Sequence, residues 1–204
     1  MYTQLLIPVD TICVKHIIHF VIVPTRRSVK AMEFFIQIDP RGFSKKPTQE
    51  EVRIIRKTIQ TTKCDLNTLR KDLCYGHTVC PAFVDENEIF MMQQVFLVDV
   101  DAGRSVEENL RTAEKNNIIP NIIYQTFNGD TCNQKHRLVF LFYKPITDLE
   151  KRNMTQAFLT EMFSGDKMTT DVKRLYYGGN ACYFYNPFTA LTYSEGGVLN
   201  GTTI

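Results

Sequence analysis

With 204 residues, 44% of them hydrophobic and 23% charged, and a net charge of +2, the chain can bury a full core as one domain or as two closely packed lobes. The absence of a low-complexity tract, internal repeat or long Gly/Ser linker argues against a mainly disordered protein. The longest apolar stretch, Ile17 to Pro24 with His19 inside it, is too short to cross a bilayer, and no signal-peptide pattern opens the chain, so a soluble, cytoplasmic protein without a membrane partner is expected.

Residues 1–90 are expected to form an α/β lobe. Two apolar strands, Thr11–Val23 and Lys30–Ile38, precede a turn at Asp39-Pro40-Arg41-Gly42. Thr48 then caps a helix with Glu50 and Glu51 in its first turn and Val52, Ile55 and Ile59 on its apolar face. Asp65 caps a second through Leu66, Leu69 and Leu73. Arg53, Arg56, Lys57, Lys63, Arg70 and Lys71 decorate these helices, by default as a solvated face. The slight basic excess of the chain lies here, with 13 Lys and Arg against 10 Asp and Glu in residues 1–90.

Residues 91–204 carry a sharper pattern. The predicted order is strand Val95–Asp101, helix Ser105–Asn116 opened by a Ser105/Glu108 capping box, strand Asn121–Thr126, strand Lys135–Tyr143, helix Asp148–Phe163 capped by Thr147, and strand Arg174–Tyr177 running into Gly178-Gly179. This β-α-β-β-α-β order predicts an α+β fold with a ferredoxin-like, RRM-like sheet. In that topology the first strand is central, flanked antiparallel by the third and fourth.

The strand ending Val98-Asp99-Val100-Asp101 is the most informative segment. Alternation puts both carboxylates on one face, where two charges at the end of an apolar strand call for a cation or a solvated cleft. The predicted topology brings Lys135, Arg137 and Arg174 to the same edge, with Asp166 and Asp171 on the loop feeding the last strand. Asp99, Asp101 and Asp166, with Asp171 as the alternative third acid, have the hard oxygen donors that suit two Mg²⁺ or Mn²⁺ ions. Lys135, Arg137 and Arg174 have the charge to bind triphosphate oxygens. His136 falls on the opposite face and is expected to pack beneath the sheet.

Six cysteines (Cys13, Cys64, Cys74, Cys80, Cys132 and Cys182) lack paired spacing and read as free thiols in a reducing compartment. Cys64, Cys74, His77 and Cys80 are the one local group of ligand types, but their gaps are too wide for a zinc hook, so zinc is not expected.

The segment Phe96-Leu97-Val98-Asp99-Val100-Asp101 resembles the first motif of the archaeo-eukaryotic primase superfamily, particularly primase-polymerase domains of phages, plasmids and other mobile elements. Gly165-Asp166 followed by Arg174 is similar to its third motif. Gly76-His77-Thr78, Pro81-Ala82-Phe83, Lys135-x-Arg137-Leu138-Val139-Phe140 and Lys144-Pro145-Ile146-Thr147-Asp148 extend the similarity over roughly residues 70–180. The superfamily's usual second motif, Ser-x-His, is replaced by Lys135-His136-Arg137, onto which the nucleotide-binding role is carried.

The resemblance implies a two-lobed core that makes or extends primers on single-stranded DNA from nucleoside triphosphates by two-metal nucleotidyl transfer. It implies catalytic and metal-binding roles for Asp99, Asp101 and Asp166, and nucleotide binding by Lys135, Arg137 and Arg174. A non-catalytic replication-initiation or DNA-binding module of the same fold is the alternative. A dehalogenase-like phosphatase would place Asp-x-Asp on an early strand before a Gly-Thr turn, and a glycosyltransferase would precede it with βαβ units; neither pattern is present. The polar ending Asn200-Gly201-Thr202-Thr203-Ile204 carries no cap, so continuation into a helicase module is expected, whose P-loop is not in this sequence.

Overall fold

The computed structural model describes residues 19–24, 32–101, 104–129, 135–167 and 171–194. The Thr11–Ile18 part of the predicted first strand, Cys13, Cys132 and the polar ending lie outside them. The described residues form a mixed α+β fold with four helices and two sheets, and none of these helices is long and apolar enough to cross a membrane.

Strands β2 (Phe34–Gly42), β3 (Gln60–Cys64) and β4 (His77–Cys80) form an antiparallel three-stranded sheet in the order β3-β2-β4. The predicted turn at Asp39–Gly42 is instead part of β2, which crosses an irregularity after Ile38 and pairs again at Gly42 with His77. The segment stays in the sheet because the buried Asp39 carboxylate is satisfied internally. Its oxygens accept from the Arg41 backbone N–H and guanidinium at 2.9 Å and from the Thr58 hydroxyl. Helix α1 (Gln49–Thr58) opens with a Thr48/Glu51 capping box, and α2 (Leu66–Cys74) is capped by Asp65, whose carboxylate accepts from Thr68 N at 2.8 Å.

The larger sheet is built around β8 (His136–Ile146). One edge pairs antiparallel with β6 (Phe90–Val100). The other pairs with β7 (Ile122–Thr126) along its first part and, in parallel at Phe142, with β10 (Thr189–Ser194) further on. Strand β9 (Gly179–Tyr185) lies outside β7, β5 (Ala82–Val84) outside β6, and β1 (His19–Pro24) outside β10.

The predicted strand adjacency is thereby corrected. The first strand of the β-α-β-β-α-β unit does not have the fourth as its neighbour: β5 pairs with its Phe90–Gln93 end, and at Asp99 it is the loop residue Asp166 that donates its N–H to the strand. The segment predicted as strand Arg174–Tyr177 makes a single bridge, Tyr176 to Val79 on β4, and the following residues pair with β7 as β9. Gly178 and Gly179 permit this turn: a Cβ on Gly179 would sit 1.6 Å from Gln125 O, and one on Gly178 2.5 Å from Leu73 O.

The larger sheet is covered on both faces. Alternation directs Phe96, Val98, Leu138, Phe140 and Phe142 into one core, shared with α3 (Val106–Asn116) and α4 (Leu149–Met162). It directs Val95, Leu97, Tyr124, Val139 and Leu141 into a second core with α2 and the three-stranded sheet. Helix α3 carries the predicted Ser105/Glu108 capping box. Helix α4 is tied to β6 by Gln156, whose amide donates to Leu97 O at 3.0 Å. Its N-cap is Asp148 rather than the predicted Thr147: the Asp148 carboxylate accepts from Lys151 N at 2.8 Å, and a carboxylate is also the better partner for the positive end of the helix dipole. Asp148→Ala should therefore cost about 1 kcal/mol of stability in urea denaturation, whereas Thr147→Ala should stay within about 0.5 kcal/mol.

Candidate active site

At one end of the larger sheet, three cross-strand neighbours form a polar row. Asp99 on β6 is in register with Arg137 on β8, and Arg137 with Tyr124 on β7. All three side chains are buried on the face that meets the three-stranded sheet. Arg137 Nε donates to Asp99 Oδ1, and Arg137 Nη1 donates to the Tyr124 hydroxyl at 2.8 Å and to Tyr177 O. The Tyr124 hydroxyl in turn donates to Tyr177 O at 3.1 Å. The guanidinium lies 5.5 Å from the Tyr124 ring centroid and 5.2 Å from that of Tyr176.

Arg174 approaches from the segment between α4 and β9. Its Nη2 donates to Asp99 Oδ2 at 3.1 Å and to Asp166 Oδ2 at 3.2 Å, so one guanidinium nitrogen bridges two carboxylates. Asp166 is held there by its own backbone, since its N–H donates to Asp99 O at 2.8 Å. The preceding Gly165 makes the approach possible: a Cβ would meet Val98 Cγ1 at 2.4 Å and Asp99 O at 3.0 Å.

Electrostatics follow from these contacts. Burial pushes the Asp99 carboxyl upward, but Arg137 and Arg174 together outweigh it and hold the group below the ordinary carboxylate range. Burial alone would favour loss of the Arg137 proton; Asp99 and Tyr124 reverse this and raise its pKa. The Tyr124 hydroxyl, fully buried, is pushed up to about 12 by burial against the opposing effect of Arg137.

Two residues further along β6 and β8 the same alternation gives an outer pair. Asp101 is exposed, and Lys135 Nζ lies 3.8 Å from its Oδ1. Asp171 turns back on its own loop, its carboxylate accepting from Lys173 N at 2.8 Å. Both acids, with Asp99, Asp166, Lys135, Arg137 and Arg174, line an open cleft of about 540 Å³. The six predicted site residues and the alternative acid Asp171 therefore line one space. His136 is on the opposite face, buried, with Nε2 2.9 Å from Asn109 Nδ2 on α3.

The sequence reading did not identify Tyr124, Tyr176, Lys46 or Arg56. Tyr124 and Tyr176 enclose the arginines; Lys46 and Arg56 bring positive charge to the cleft from beside the three-stranded sheet. One available signal was Tyr124 itself, a tyrosine within the apolar strand Ile122-Ile123-Tyr124, whose buried hydroxyl requires a partner. Arg56 was read as helix decoration, but its Nη1 donates to Lys173 O at 3.4 Å.

Asp99 and Asp166 present oxygens to a common positive group, the Arg174 guanidinium, and Asp101 reaches the same cleft. Among the described residues, however, no three His, Cys, Asp or Glu side chains are gathered closely enough to hold a metal as they stand. Cys64, Cys74, His77 and Cys80 likewise make no such group, and Cys64 and Cys80 are buried.

No protein-family model matches the chain, and no curated protein matches it. Among solved structures it is similar to the AEP domain of the cyanophage S-2L primase-polymerase, with 13% sequence identity and a TM-score of 0.38 over 84% of this chain and 82% of that one.

Removing Asp99 should leave Arg137 buried without its counter-charge. Asp99→Ala is expected to lose about 3–5 kcal/mol in urea denaturation, and Asp101→Ala, at an exposed position, to stay within about 0.5 kcal/mol. The Asp99 contribution also has a pH signature. Its folded pKa is depressed, so the contribution is fully present above the unfolded value of about 3.9 and disappears as pH falls through the lower folded value. Asp99→Asn should flatten the acid limb of a stability-versus-pH curve; an unchanged limb would reject this assignment.

Proposed function

We propose that this chain is a DNA-dependent primase-polymerase: a nucleotidyltransferase with a two-lobed, RRM-like core that makes or extends primers on single-stranded DNA. The observation that supports it best is the convergence of Asp99, Asp101 and Asp166 with Lys135, Arg137 and Arg174 on one cleft, from positions spread over 76 residues of sequence. Under this reading Asp99, Asp101 and Asp166 hold Mg²⁺ or Mn²⁺. When bound, the ions supply Lewis-acid polarisation of an attacking hydroxyl and charge neutralisation on a triphosphate.

The residues divide by accessibility. Lys135 and Arg174 present cationic groups to the cleft and are assigned the triphosphate. Arg137 is buried and committed to Asp99, Tyr124 and Tyr177 O, so its assignment moves from nucleotide clamp to positioning residue: it fixes the Asp99 carboxylate. Asp166 is preferred to Asp171 as third acid because it shares Arg174 with Asp99, whereas the Asp171 carboxylate accepts a bond from its own loop. Lys46 and Arg56 add positive charge suited to a template backbone.

A second reading, a replication-initiation or DNA-binding module without catalysis, is favoured by one observation: both Asp99 oxygens already accept bonds from arginines. The two readings separate at Asp101, whose removal leaves the buried pair intact. Primer synthesis and extension on single-stranded DNA with labelled nucleotides and Mn²⁺ or Mg²⁺ should give product from the parent chain. Asp101→Ala should lower it at least 100-fold, by about 2.7 kcal/mol of transition-state stabilisation, at an unchanged unfolding midpoint. Undiminished synthesis would overturn the metal assignment. DNA binding without synthesis, indifferent to metal and to Asp101→Ala, would establish the second reading.

A further inference from the structure

Arg137 and Arg174 each hold one Asp99 oxygen, and a single ring lies against both guanidinium groups. The Tyr176 ring centroid is 5.2 Å from the Arg137 guanidinium and 5.5 Å from that of Arg174. The ring is buried in the core between the two sheets, and its backbone is anchored in both directions: Tyr176 N donates to Val79 O at 2.8 Å, and Tyr176 O accepts from Val79 N at 2.9 Å. The Tyr176 hydroxyl, also buried, has no hydrogen-bond partner. An unpartnered buried hydroxyl is costly, so the aromatic face and not the polar tip is what this position uses.

The two arginines differ in what else fixes them. Arg137 is buried on a central strand and has Asp99, the Tyr124 hydroxyl and Tyr177 O as partners. Arg174 is half-buried on a turn, its backbone N–H donating to Asp171 O at 3.2 Å, and its Nη2 rests on the carboxylates of Asp99 and Asp166. Those two acids are the groups that a divalent cation would take under the reading of the cleft given above.

We propose that Tyr176 is a positioning residue whose ring holds the Arg174 guanidinium at the floor of the cleft, in place for the phosphate oxygens of a nucleotide. The role towards the nucleotide rests on the nucleotidyltransferase reading; the hold on Arg174 does not.

The argument turns on what kind of partner a ring is. A guanidinium on a long side chain that gives up its carboxylates is otherwise released to solvent, and a ligand must then bear the cost of ordering it again. A desolvated aromatic face attracts the cation without occupying any of its N–H donors, which stay available for acceptor oxygens. The attraction also persists while the donors change partner, and the ring that provides it is fixed to β4 rather than to the cleft's own turn.

The test follows the Arg174 Nε–H group of the full chain by isotope-edited NMR, its signal assigned by its loss in Arg174→Lys. In the parent and in Tyr176→Phe the signal should be shifted by the ring and should exchange slowly with solvent. Tyr176→Leu removes the ring, and a polyfluorinated phenylalanine at position 176 keeps its shape while withdrawing its negative face. Both should accelerate the exchange by about fivefold to tenfold. In primer extension the nucleotide KM should rise by a similar factor in these two chains and return towards the parent value in Tyr176→Phe, with kcat changed less. Packing alone would not respond to fluorination, so exchange unaltered by the fluorinated ring would overturn the hold on Arg174. Loss of the slow signal in Tyr176→Phe would also overturn it, by transferring the role to the hydroxyl. An unchanged KM in an active fluorinated chain would overturn the role towards the nucleotide. Should Tyr176→Leu fail to fold, the fluorinated chain decides alone. Absence of synthesis by the parent would count against the nucleotidyltransferase reading, and the NMR comparison would still decide the hold on Arg174.

Discussion

The Asp99–Arg137 pair is the constraint around which this end of the fold is organised. A sheet buried on both faces leaves no water at its centre, so a carboxylate and a guanidinium placed there must satisfy one another and find partners for their remaining donors and acceptors. That requirement reaches beyond β6 and β8. It brings in the Tyr124 hydroxyl from β7, Tyr177 O from the segment leading into β9, and the rings of Tyr124 and Tyr176 against the guanidinium. Arg174 and Asp166 are then recruited to the second Asp99 oxygen. A buried ion pair of this kind adds little net stability over an apolar substitute, yet it penalises every register in which the charges miss each other. A one-residue slip of β8 against β6 would carry Arg137 into the core beneath α3 and α4, where Asn109 and His136 now sit.

The period-two geometry that buries this inner pair also creates the outer one. Asp101 and Lys135 are one step further along the same strands and on the same face, but beyond the covering elements, so their contact is longer and their side chains are accessible. The site consequently has two tiers with different properties. The inner tier is fixed by packing and bidirectional hydrogen bonding, and it keeps Asp99 ionised. The outer tier is solvated and its side chains can reorient at little cost. A ligand entering the cleft meets a rigid charged floor with an adaptable rim, an arrangement that orients groups without reorganising the core.

Much of this was legible because it depends on local alternation and capping. The common face of Asp99 and Asp101, that of Lys135 and Arg137, and the opposite placement of His136 follow from strand period alone, and the caps of α1, α2 and α3 are written in three-residue spacings. What could not be read depends on competition between distant segments. Arg174–Tyr177 makes no strand on β6: its Tyr176 bridges to Val79 on β4 and packs its ring against the two arginines. Pro40 and Gly42 read as a turn because the pattern carries no sign of Thr58, the distant hydroxyl that helps keep Asp39 buried in a strand. An aromatic in an apolar strand is ordinarily packing, and only the register against Arg137 gives the Tyr124 hydroxyl a role.

The charge balance of the cleft bears on how it would be filled. The lining includes Lys46, Arg56, Lys135, Arg137 and Arg174 against Asp99, Asp101, Asp166 and Asp171, so opposite charges nearly cancel and little net field remains to draw in a free polyanion. The inner charges are moreover spent on one another. Under the proposed reading, a bare triphosphate would face Asp99 and Asp166 across a short distance, and a bare divalent cation would face Arg174. Each is opposed by the group that the other would neutralise. Nucleotide and cation arriving together remove both oppositions, since the cation takes the carboxylates while the guanidinium turns to phosphate oxygens. Were the chain the metal-dependent enzyme proposed above, this arrangement would favour coupled binding of the two, the carboxylates exchanging the arginine for the cation as the guanidinium passes to phosphate.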